Sequence, residues 1–203
     1  MQPADHWESV YRSKSYDSVS WYAPHLDESL RLIEQLSPNK TAAIVDIGGG
    51  ESTLVDDLLR RDYTDVSVLD ISATAIEFTK KRLGPSAVDV GWHVGDITQY
   101  DFSDKKFDLW HDRAVFHFLT EPATRQAYVD LVRRSVKSGG YVLMATFGPN
   151  GPLKCSGLDV VRYDDQSLHQ EFGDGFHLIG SELNNHDTPM GTNQQFLYCW
   201  CKA

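Results

Sequence analysis

The stretch that decides the fold is Thr41-Ala-Ala-Ile-Val-Asp-Ile-Gly-Gly-Gly50. Its first seven residues are mostly apolar, which predicts a buried strand over residues 41–47. Three glycines follow and lead into a predicted helix over residues 51–61. Glycines at such a junction let the backbone turn tightly and leave room for a ligand between the strand end and the helix N-terminus. The stretch therefore predicts a strand, a ligand-binding loop and a helix in succession.

Strands and helices alternate on the C-terminal side of this stretch. The pattern predicts strands at 66–70, 88–94, 107–112 and 141–147, and helices at 72–83 and 122–136. Ser72 is the predicted N-cap of the first helix, and Gly139-Gly140 is predicted to stop the second. Strands that alternate with helices of about 10–15 residues imply parallel βαβ units with helices on both faces of a sheet.

The two ends of the chain depart from this alternation. Apolar residues at helical spacing predict helices over 3–13 and 25–36, joined by an aromatic-rich link. After a loop at 148–157 and a short helix near 165–172, extended runs at 176–186 and 194–201 predict an antiparallel hairpin. We therefore expect an α/β fold: a Rossmann-like, doubly wound sheet that is mostly parallel, with a C-terminal antiparallel hairpin and helices on both faces.

At 203 residues the chain suits a single domain. We expect it to divide into an N-terminal helical lid (1–40), a cofactor-binding core (41–147) and a substrate-side loop and hairpin (148–203). No apolar run reaches the ~20 residues that span a bilayer, and the N-terminus does not resemble a secretory signal. Three cysteines cannot form a disulfide framework, which favours a reduced cytoplasm. We expect no membrane association, and a monomer or dimer.

The net charge of −10 argues against nucleic acid as a partner, because such binding relies on clustered Lys and Arg that neutralise phosphates. The sequence also has no Cys/His cluster with zinc-ligand spacing, so no metal is predicted.

Acidic residues around the glycines select among nucleotide cofactors. Asp70 closes the second strand of the core, 24 positions after Asp46, where an acid accepts hydrogen bonds from ribose hydroxyls. A nicotinamide fingerprint needs a further glycine where this chain has Thr53. Asp46 and Glu51 flank the glycines, and two carboxylates there would repel a pyrophosphate. They suit a ligand with a sulfonium and an ammonium, which points to S-adenosylmethionine.

Four motifs in order resemble those of the class I methyltransferases. They are the glycine loop after Asp46, Leu69-Asp70-Ile71, Gly95-Asp96-Ile97 and Phe107-Asp-Leu-Trp-His-Asp112. The resemblance implies S-adenosylmethionine as cofactor and S-adenosylhomocysteine as product. It implies that the methionine end lies against Asp46, Gly48, Gly49 and Gly50. It further implies that Asp70 binds the ribose, Asp96 binds the adenine amino group, and Ile71 and Ile97 pack on the adenine ring.

The N-terminal segment is similar to that of small protein-lysine methyltransferases, among them the elongation factor 1A and mitochondrial citrate synthase lysine methyltransferases. The similar residues are His6-Trp-Glu-Ser-Val-Tyr11 and Ser20-Trp-Tyr22. The resemblance implies a segment folded over the cofactor, with Trp7, Tyr11 and Arg12 near it. Core packing of an amphipathic helix is the alternative interpretation of these aromatic residues.

The segment 110–118 follows the fourth strand, where a methyl acceptor should lie. Asp112 is a candidate to contact the cofactor, orient an ammonium or accept a proton, and His117 is a candidate base near neutral pH. The structural alternatives are an ion pair between Asp112 and Arg113 and a packed His117.

The expected reaction is in-line methyl transfer to a nucleophile, with a protein lysine amine as the first candidate acceptor. A small amine, thiol, carboxylate or metalloid is the alternative, and a non-catalytic nucleotide-binding or interaction domain is the rival of another class. A protein acceptor predicts an open cleft beside His117 and His186. A small acceptor predicts a closed pocket lined by Trp21, Tyr22, Phe116 and Phe118.

Substitution of Asp70 tests the ribose assignment. We expect Asp70→Ala to weaken S-adenosylmethionine binding sharply while leaving the fold intact, as measured by calorimetric titration and circular dichroism. Wild-type affinity in this variant would contradict the assignment.

Overall fold

A central β-sheet organises the chain in the computed structural model, which describes residues 3–103 and 106–203. In chain order the strands are β1 (Ala43–Ile47), β2 (Asp65–Asp70), β3 (Val90–Val94), β4 (Phe107–Arg113), β5 (Val136–Phe147), β6 (Lys154–Cys155), β7 (Leu158–Asp159), β8 (His177–Asp187) and β9 (Asn193–Lys202). The α-helices are α1 (Pro3–Ser13), α2 (Asp27–Leu36), α3 (Leu54–Arg60), α4 (Ala73–Leu83), α5 (Pro122–Ser135) and α6 (Asp165–Phe172). Short 3-10 turns lie at Gly84–Asp89, Phe116–Phe118 and Gly173–Gly175.

The sheet has seven strands in the order β3-β2-β1-β4-β5-β9-β8. The first five are parallel, β9 pairs antiparallel with β5, and β8 pairs antiparallel with β9. The carboxyl ends of the parallel strands therefore meet at one edge, where open α/β sheets bind ligands. The predicted α/β, Rossmann-like sheet with a C-terminal antiparallel hairpin is confirmed.

Two hydrophobic cores lie on the two faces of the sheet. Because side chains alternate along a strand, Ile44 packs into one core and Val45 into the other. The first core contains buried side chains of α2, α3 and α4, and the second contains those of α5 and α6. Helices cover both faces, as the alternating sequence pattern predicts.

The junction between α5 and β5 differs from the prediction. The helix ends at Ser135 and the strand begins at once with Val136, so Gly139-Gly140 does not stop the helix. The register of β4 on β5 shifts between Phe107 and Leu109, and Gly139 lies within this irregularity with φ +80°. The glycine therefore serves a bulge in the strand, where its backbone adopts a conformation that L side chains rarely take.

Two other elements also differ. Helix α3 begins at Leu54 rather than Glu51, because the chain first turns back, with the Ser52 N–H donating to the Gly49 carbonyl at 2.7 Å. The predicted loop 148–157 contains β6, which pairs with β7 in a small hairpin. Ser72 is the N-cap of α4, as predicted, and its side chain accepts from the Ala75 N–H.

Among the described residues, no helix is both long enough and apolar enough to cross a membrane.

Beyond the end of β4, a buried polar network fixes the path of the backbone. Trp110 Nε1 donates to Tyr128 Oη at 2.9 Å, and this hydroxyl donates to Asp112 Oδ2 at 2.6 Å. The same carboxylate accepts from the backbone N–H groups of Val115 and Phe116. The network ties β4 to α5 and holds the turn that follows the strand.

Removing the Tyr128 hydroxyl tests how much this network contributes to the stability of the fold. We expect Tyr128→Phe to lower the free energy of unfolding by about 1–3 kcal/mol, because the Trp110 N–H loses its acceptor in a buried site. Urea denaturation measures the change. Tyr141→Phe, which changes a half-buried tyrosine of β5, is the matched control and should cost less than about 0.5 kcal/mol. Equal stability of the two variants would contradict the structural role.

Candidate active site

A cavity of about 620 Å³ lies at the carboxyl edge of the sheet. Its walls come from the ends of β1, β2, β4 and β5, the turn after β3, helix α1 and strand β9. A smaller cavity of about 40 Å³ shares four of its lining residues, Tyr11, Trp21, Gly48 and Arg113. The two form adjoining parts of one candidate site.

Four residues predicted to bind adenosine line the larger cavity together: Asp70, Ile71, Asp96 and Ile97. Asp70 is buried, and its Oδ1 accepts from the Ser72 N–H at 2.8 Å. Burial raises the pKa of this carboxyl to about 7, and the charge of Asp46 adds to the shift. Asp96 Oδ1 accepts from the backbone and hydroxyl of Thr98. The structure therefore brings the predicted ribose and adenine groups to one wall.

The glycine loop lies between the two cavities. Gly48 has φ +68°, and a Cβ there would approach Val115 Cγ2 to 2.1 Å. A Cβ on Gly50 would lie 2.7 Å from Asp70 Oδ2 and 3.0 Å from Tyr11 Oη. Side chains at these positions would fill the space between the loop and its neighbours, which explains the need for glycine.

Glu51 provides a test of the fit of S-adenosylmethionine. It lines the smaller cavity, and its buried Oε2 has no hydrogen-bond partner. Burial raises the pKa of Glu51 to about 7, although the Arg82 charge opposes the shift. A buried carboxylate without a partner suits a bound ammonium. The amino group of the methionine end therefore fits this position.

Asp46 lines the smaller cavity beside Glu51, and it already has an imidazole partner. Its Oδ1 lies 2.7 Å from His111 Nδ1, and His111 Nε2 lies 2.9 Å from Ser29 Oγ. This buried chain connects β1 and β4 to α2. Sequence reasoning missed it, because nothing in the local pattern links Ser29 to the other two residues.

Helix α1 covers the site as a lid, although residues 1 and 2 of the expected lid lie outside the described residues. Its Glu8 carboxylate accepts from Ser72 Oγ at 3.1 Å and from the Thr74 N–H at 3.2 Å. Trp7 packs edge-on against Phe118 at 5.1 Å between ring centroids. Trp7 and Tyr11 line the larger cavity, and Tyr11 is half-buried near Asp70.

Arg12 differs from the expectation. Its side chain is largely exposed and lies 3.4 Å from Thr74 Oγ1, outside both cavities. The helical period explains this placement, because the residue after Tyr11 points to another face of α1.

The side chains of Asp112 and His117 line neither cavity. Asp112 is fully buried in the network with Tyr128, and burial raises its pKa to about 6. The Asp112–Arg113 ion pair considered from the sequence does not form among the described residues, because adjacent side chains of β4 face opposite sides.

His117 accepts the Phe147 N–H at Nδ1, at 3.2 Å, so its proton resides on Nε2. Burial lowers the pKa of His117 to about 3, and the charge of Arg113 adds to the shift. The imidazole is therefore neutral at pH 7 and has no free nitrogen for a further proton. The geometry gives both candidate catalytic residues structural partners instead.

Arg113 and His6 are cavity residues that sequence reasoning missed as site residues. Arg113 Nη1 donates to the Trp21 carbonyl at 3.1 Å, while its buried Nε has no partner. His6 also has a buried, unpartnered Nε2. The alternation of side chains along β4 could have indicated Arg113, because it lies two residues after His111 and shares its face of the sheet.

The pocket expected for a small acceptor forms in part. Trp21 and Phe118 line the larger cavity and Tyr22 the smaller one, whereas Phe116 packs in the core against Tyr128. Of the two histidines expected beside an open cleft, His117 is fully buried and His186 is half-buried. No group of three or more His, Cys, Asp or Glu side chains in the described ranges is arranged to hold a metal ion.

Comparison with known proteins agrees with this geometry. Residues 44–140 match the profile of a family described as a methyltransferase domain. A SAM-dependent methyltransferase structure from Anabaena variabilis superposes with a TM-score of 0.77 at 15% identity, covering 100% of this chain and 95% of that one. At that identity the likeness shows the fold.

Two curated relatives differ in the acceptors that their names give. The eEF1A lysine and N-terminal methyltransferase of Mus musculus is 28% identical over 110 residues, which cover 54% of this chain and 16% of that protein. The malonyl-[acyl-carrier protein] O-methyltransferase of Paenibacillus sp. (strain JDR-2) is 26% identical over 170 residues, covering 80% of this chain and 56% of that protein. The chain thus spans less than two thirds of either relative.

Residues 44–140, slightly under half of the chain, match a methyltransferase domain, and the fold is that of S-adenosylmethionine-dependent methyltransferase structures. Both findings agree with S-adenosylmethionine as the cofactor. The names of the two relatives give different acceptors, so they leave the acceptor open.

The raised pKa values of Glu51 and Asp70 predict a pH-dependent affinity. Both carboxyls are largely protonated at pH 6 in the ligand-free protein and become anionic as pH rises through about 7. The anions bind an ammonium and ribose hydroxyls more strongly, so the affinity for S-adenosylhomocysteine should rise roughly fivefold to tenfold between about pH 6 and pH 7.5. Calorimetric titration at several pH values measures it.

Glu51→Gln should reduce this pH dependence, whereas exposed Glu77→Gln should keep it. An unchanged slope in the Glu51 variant would show that this carboxylate does not bind the ligand.

Proposed function

We propose that the chain transfers a methyl group from S-adenosylmethionine to a nucleophile held in the larger cavity. The observation that carries the proposal is the set of buried carboxylates at the strand ends, with Glu51 Oε2 lacking any partner and Asp70 facing the glycine loop. A pyrophosphate cofactor would meet repulsion there. A ligand with an ammonium, ribose hydroxyls and no phosphate suits it.

In this proposal the residues that line the cavities divide the cofactor among them. Asp70 holds the ribose, and Asp96, Ile71 and Ile97 hold the adenine. Asp46, Glu51 and the backbone of Gly48, Gly49 and Gly50 hold the methionine end. Trp7 and Tyr11 cover it from the lid. The division into a lid (1–40), a core (41–147) and a substrate side (148–203) follows from this placement.

The bound cofactor supplies a methyl group on a sulfonium, whose leaving group departs neutral and needs no proton. The contribution of the protein is therefore to orient the acceptor and exclude water. Trp7, Trp21 and Phe118 pack over the site and provide an apolar cover.

Asp112 and His117 have positioning roles in this proposal. Asp112 fixes the turn that carries Val115 into the cavity wall, since it accepts the Val115 N–H at 2.9 Å. His117 fixes the end of β5 through the Phe147 N–H. Neither residue takes up a proton, so the acceptor reacts in a form that is already deprotonated or loses its proton to another group.

Two acceptor classes follow from the comparisons. A protein lysine is supported by the eEF1A methyltransferase relative and by the N-terminal segment. A small or carrier-borne acceptor is supported by the O-methyltransferase relative, which covers more of the chain, and by the full burial of His117. Three free, buried cysteines agree with the cytoplasm as the proposed location.

Calorimetric titration with S-adenosylmethionine and S-adenosylhomocysteine tests the proposal, with the nicotinamide cofactors as controls. We expect micromolar binding of the first two alone. A labelled-methyl assay with lysate proteins and small nucleophiles then follows the transfer itself. Binding of nicotinamide cofactors, or of neither group, would refute the proposal.

A further inference from the structure

Arg113 is a half-buried cation without a counter-charge among the described residues. Its Nη1 donates a hydrogen bond to the Trp21 carbonyl, and its buried Nε has no partner. No carboxylate of the described residues forms an ion pair with it, although Asp46 and Glu51 line the same small cavity. Removing part of a charged group from water is costly unless a group of opposite charge binds it.

The charged groups around Arg113 leave its positive charge directed at the part of the larger cavity proposed to hold the acceptor. Besides Asp70 and Asp96 on the cofactor wall, the larger cavity has two carboxylates. Asp159 is largely exposed and pairs with Lys154 at 3.1 Å, and Glu121 is exposed at the start of α5. Burial and the charge of Arg113 together lower the pKa values of His117 and His186. The positive charge is therefore not neutralised from the protein side.

The wall around the guanidinium is apolar and aromatic. The Arg113 guanidinium carbon lies 4.4 Å from the centroid of the Phe196 ring. Other apolar members of the acceptor-side wall are Trp21, Phe118, Phe147 and Leu158. Gln194 is buried there, and its Oε1 has no partner. A ligand with an apolar body and one anionic end matches this lining.

We propose that the methyl acceptor is a carboxylic acid with an apolar body, held through its carboxylate by Arg113. One oxygen of that carboxylate would take the methyl group supplied by the bound cofactor, so that a methyl ester forms and the thioether leaves neutral with no proton transferred. This inference rests on the proposed methyltransferase function. The planar guanidinium presents paired donors that match a carboxylate in a bidentate geometry, and its unpartnered Nε–H is one of them. A lysine ammonium, by contrast, would enter beside an unpaired cation.

The cofactor has a carboxylate of its own, and Arg113 also borders the smaller cavity. Two titrations distinguish binding of the acceptor carboxylate from binding of the cofactor carboxylate. S-adenosylhomocysteine has the methionine carboxylate, and 5′-methylthioadenosine lacks it. If Arg113 binds the acceptor, the Arg113→Gln variant should bind both compounds with affinities within about twofold of those of wild type. Selective weakening of S-adenosylhomocysteine binding would assign Arg113 to the cofactor and overturn the proposal.

The acceptor is tested on the full chain saturated with S-adenosylhomocysteine. The probes are phenylacetate, 4-methylpentanoate and benzoate, each paired with its neutral amide. We expect wild type to bind at least one carboxylate at least about tenfold more tightly than its amide, which is about 1.4 kcal/mol. Arg113→Gln should abolish this difference, and Arg134→Gln, an exposed arginine on α5, should keep it.

Circular dichroism and thermal unfolding check that Arg113→Gln is folded. Should it not fold, Arg113→Lys retains the charge but lacks the fork, and it should show a carboxylate preference clearly below that of wild type. No preference in wild type, or full preference in the Arg113 variant, would overturn the inference. Failure of wild type to bind S-adenosylhomocysteine would instead refute the proposed methyltransferase function.

Discussion

Negative charge buried at the carboxyl edge of the sheet is the constraint on which the rest of the site depends. Asp46, Asp70 and Glu51 lie close together and are largely removed from water, and among them Asp46 has an imidazole partner while Glu51 Oε2 has none. Desolvation opposes ionisation and raises the pKa values of Asp70 and Glu51, and the charge of Asp46 adds to the shift at Asp70. The fold tolerates this arrangement because the surrounding sheet and helices are packed into two large hydrophobic cores.

Helix α1 and the glycine loop both pack around the buried negative charge at the carboxyl edge of the sheet. The loop approaches Asp70 so closely that a Cβ on Gly50 would collide with it, and α1 closes the other side through Glu8. Glu8 accepts hydrogen bonds from Ser72 and Thr74 at the N-terminus of α4, where a helix dipole favours negative charge. The same strand-to-helix junction therefore holds both helix α1, through Glu8, and the buried Asp70.

The end of strand β4 contributes to both cavities. His111 and Arg113 share the face towards the cavities, and Asp112 between them points into the core. The Arg113 guanidinium, which no described carboxylate pairs, lies against Phe196, and Arg113 lines the smaller cavity together with Asp46 and Glu51. The site therefore combines buried carboxylates with one unpaired cation.

The sequence alone determined the order of elements, the parallel sheet with its hairpin, and the acids that close β1, β2 and the turn after β3. Periodicity and strand-end position are local properties, and parallel topology then brings those ends to one edge. Only the tertiary structure decided the partners of Asp112, His117, Glu8 and Arg113. Their partners lie far away in the chain, as with Arg113 and Trp21, 92 positions apart, or His111 and Ser29, 82 positions apart. No local pattern encodes which distant group satisfies a buried donor or charge, and that pairing determines whether a polar residue binds a ligand or supports the fold.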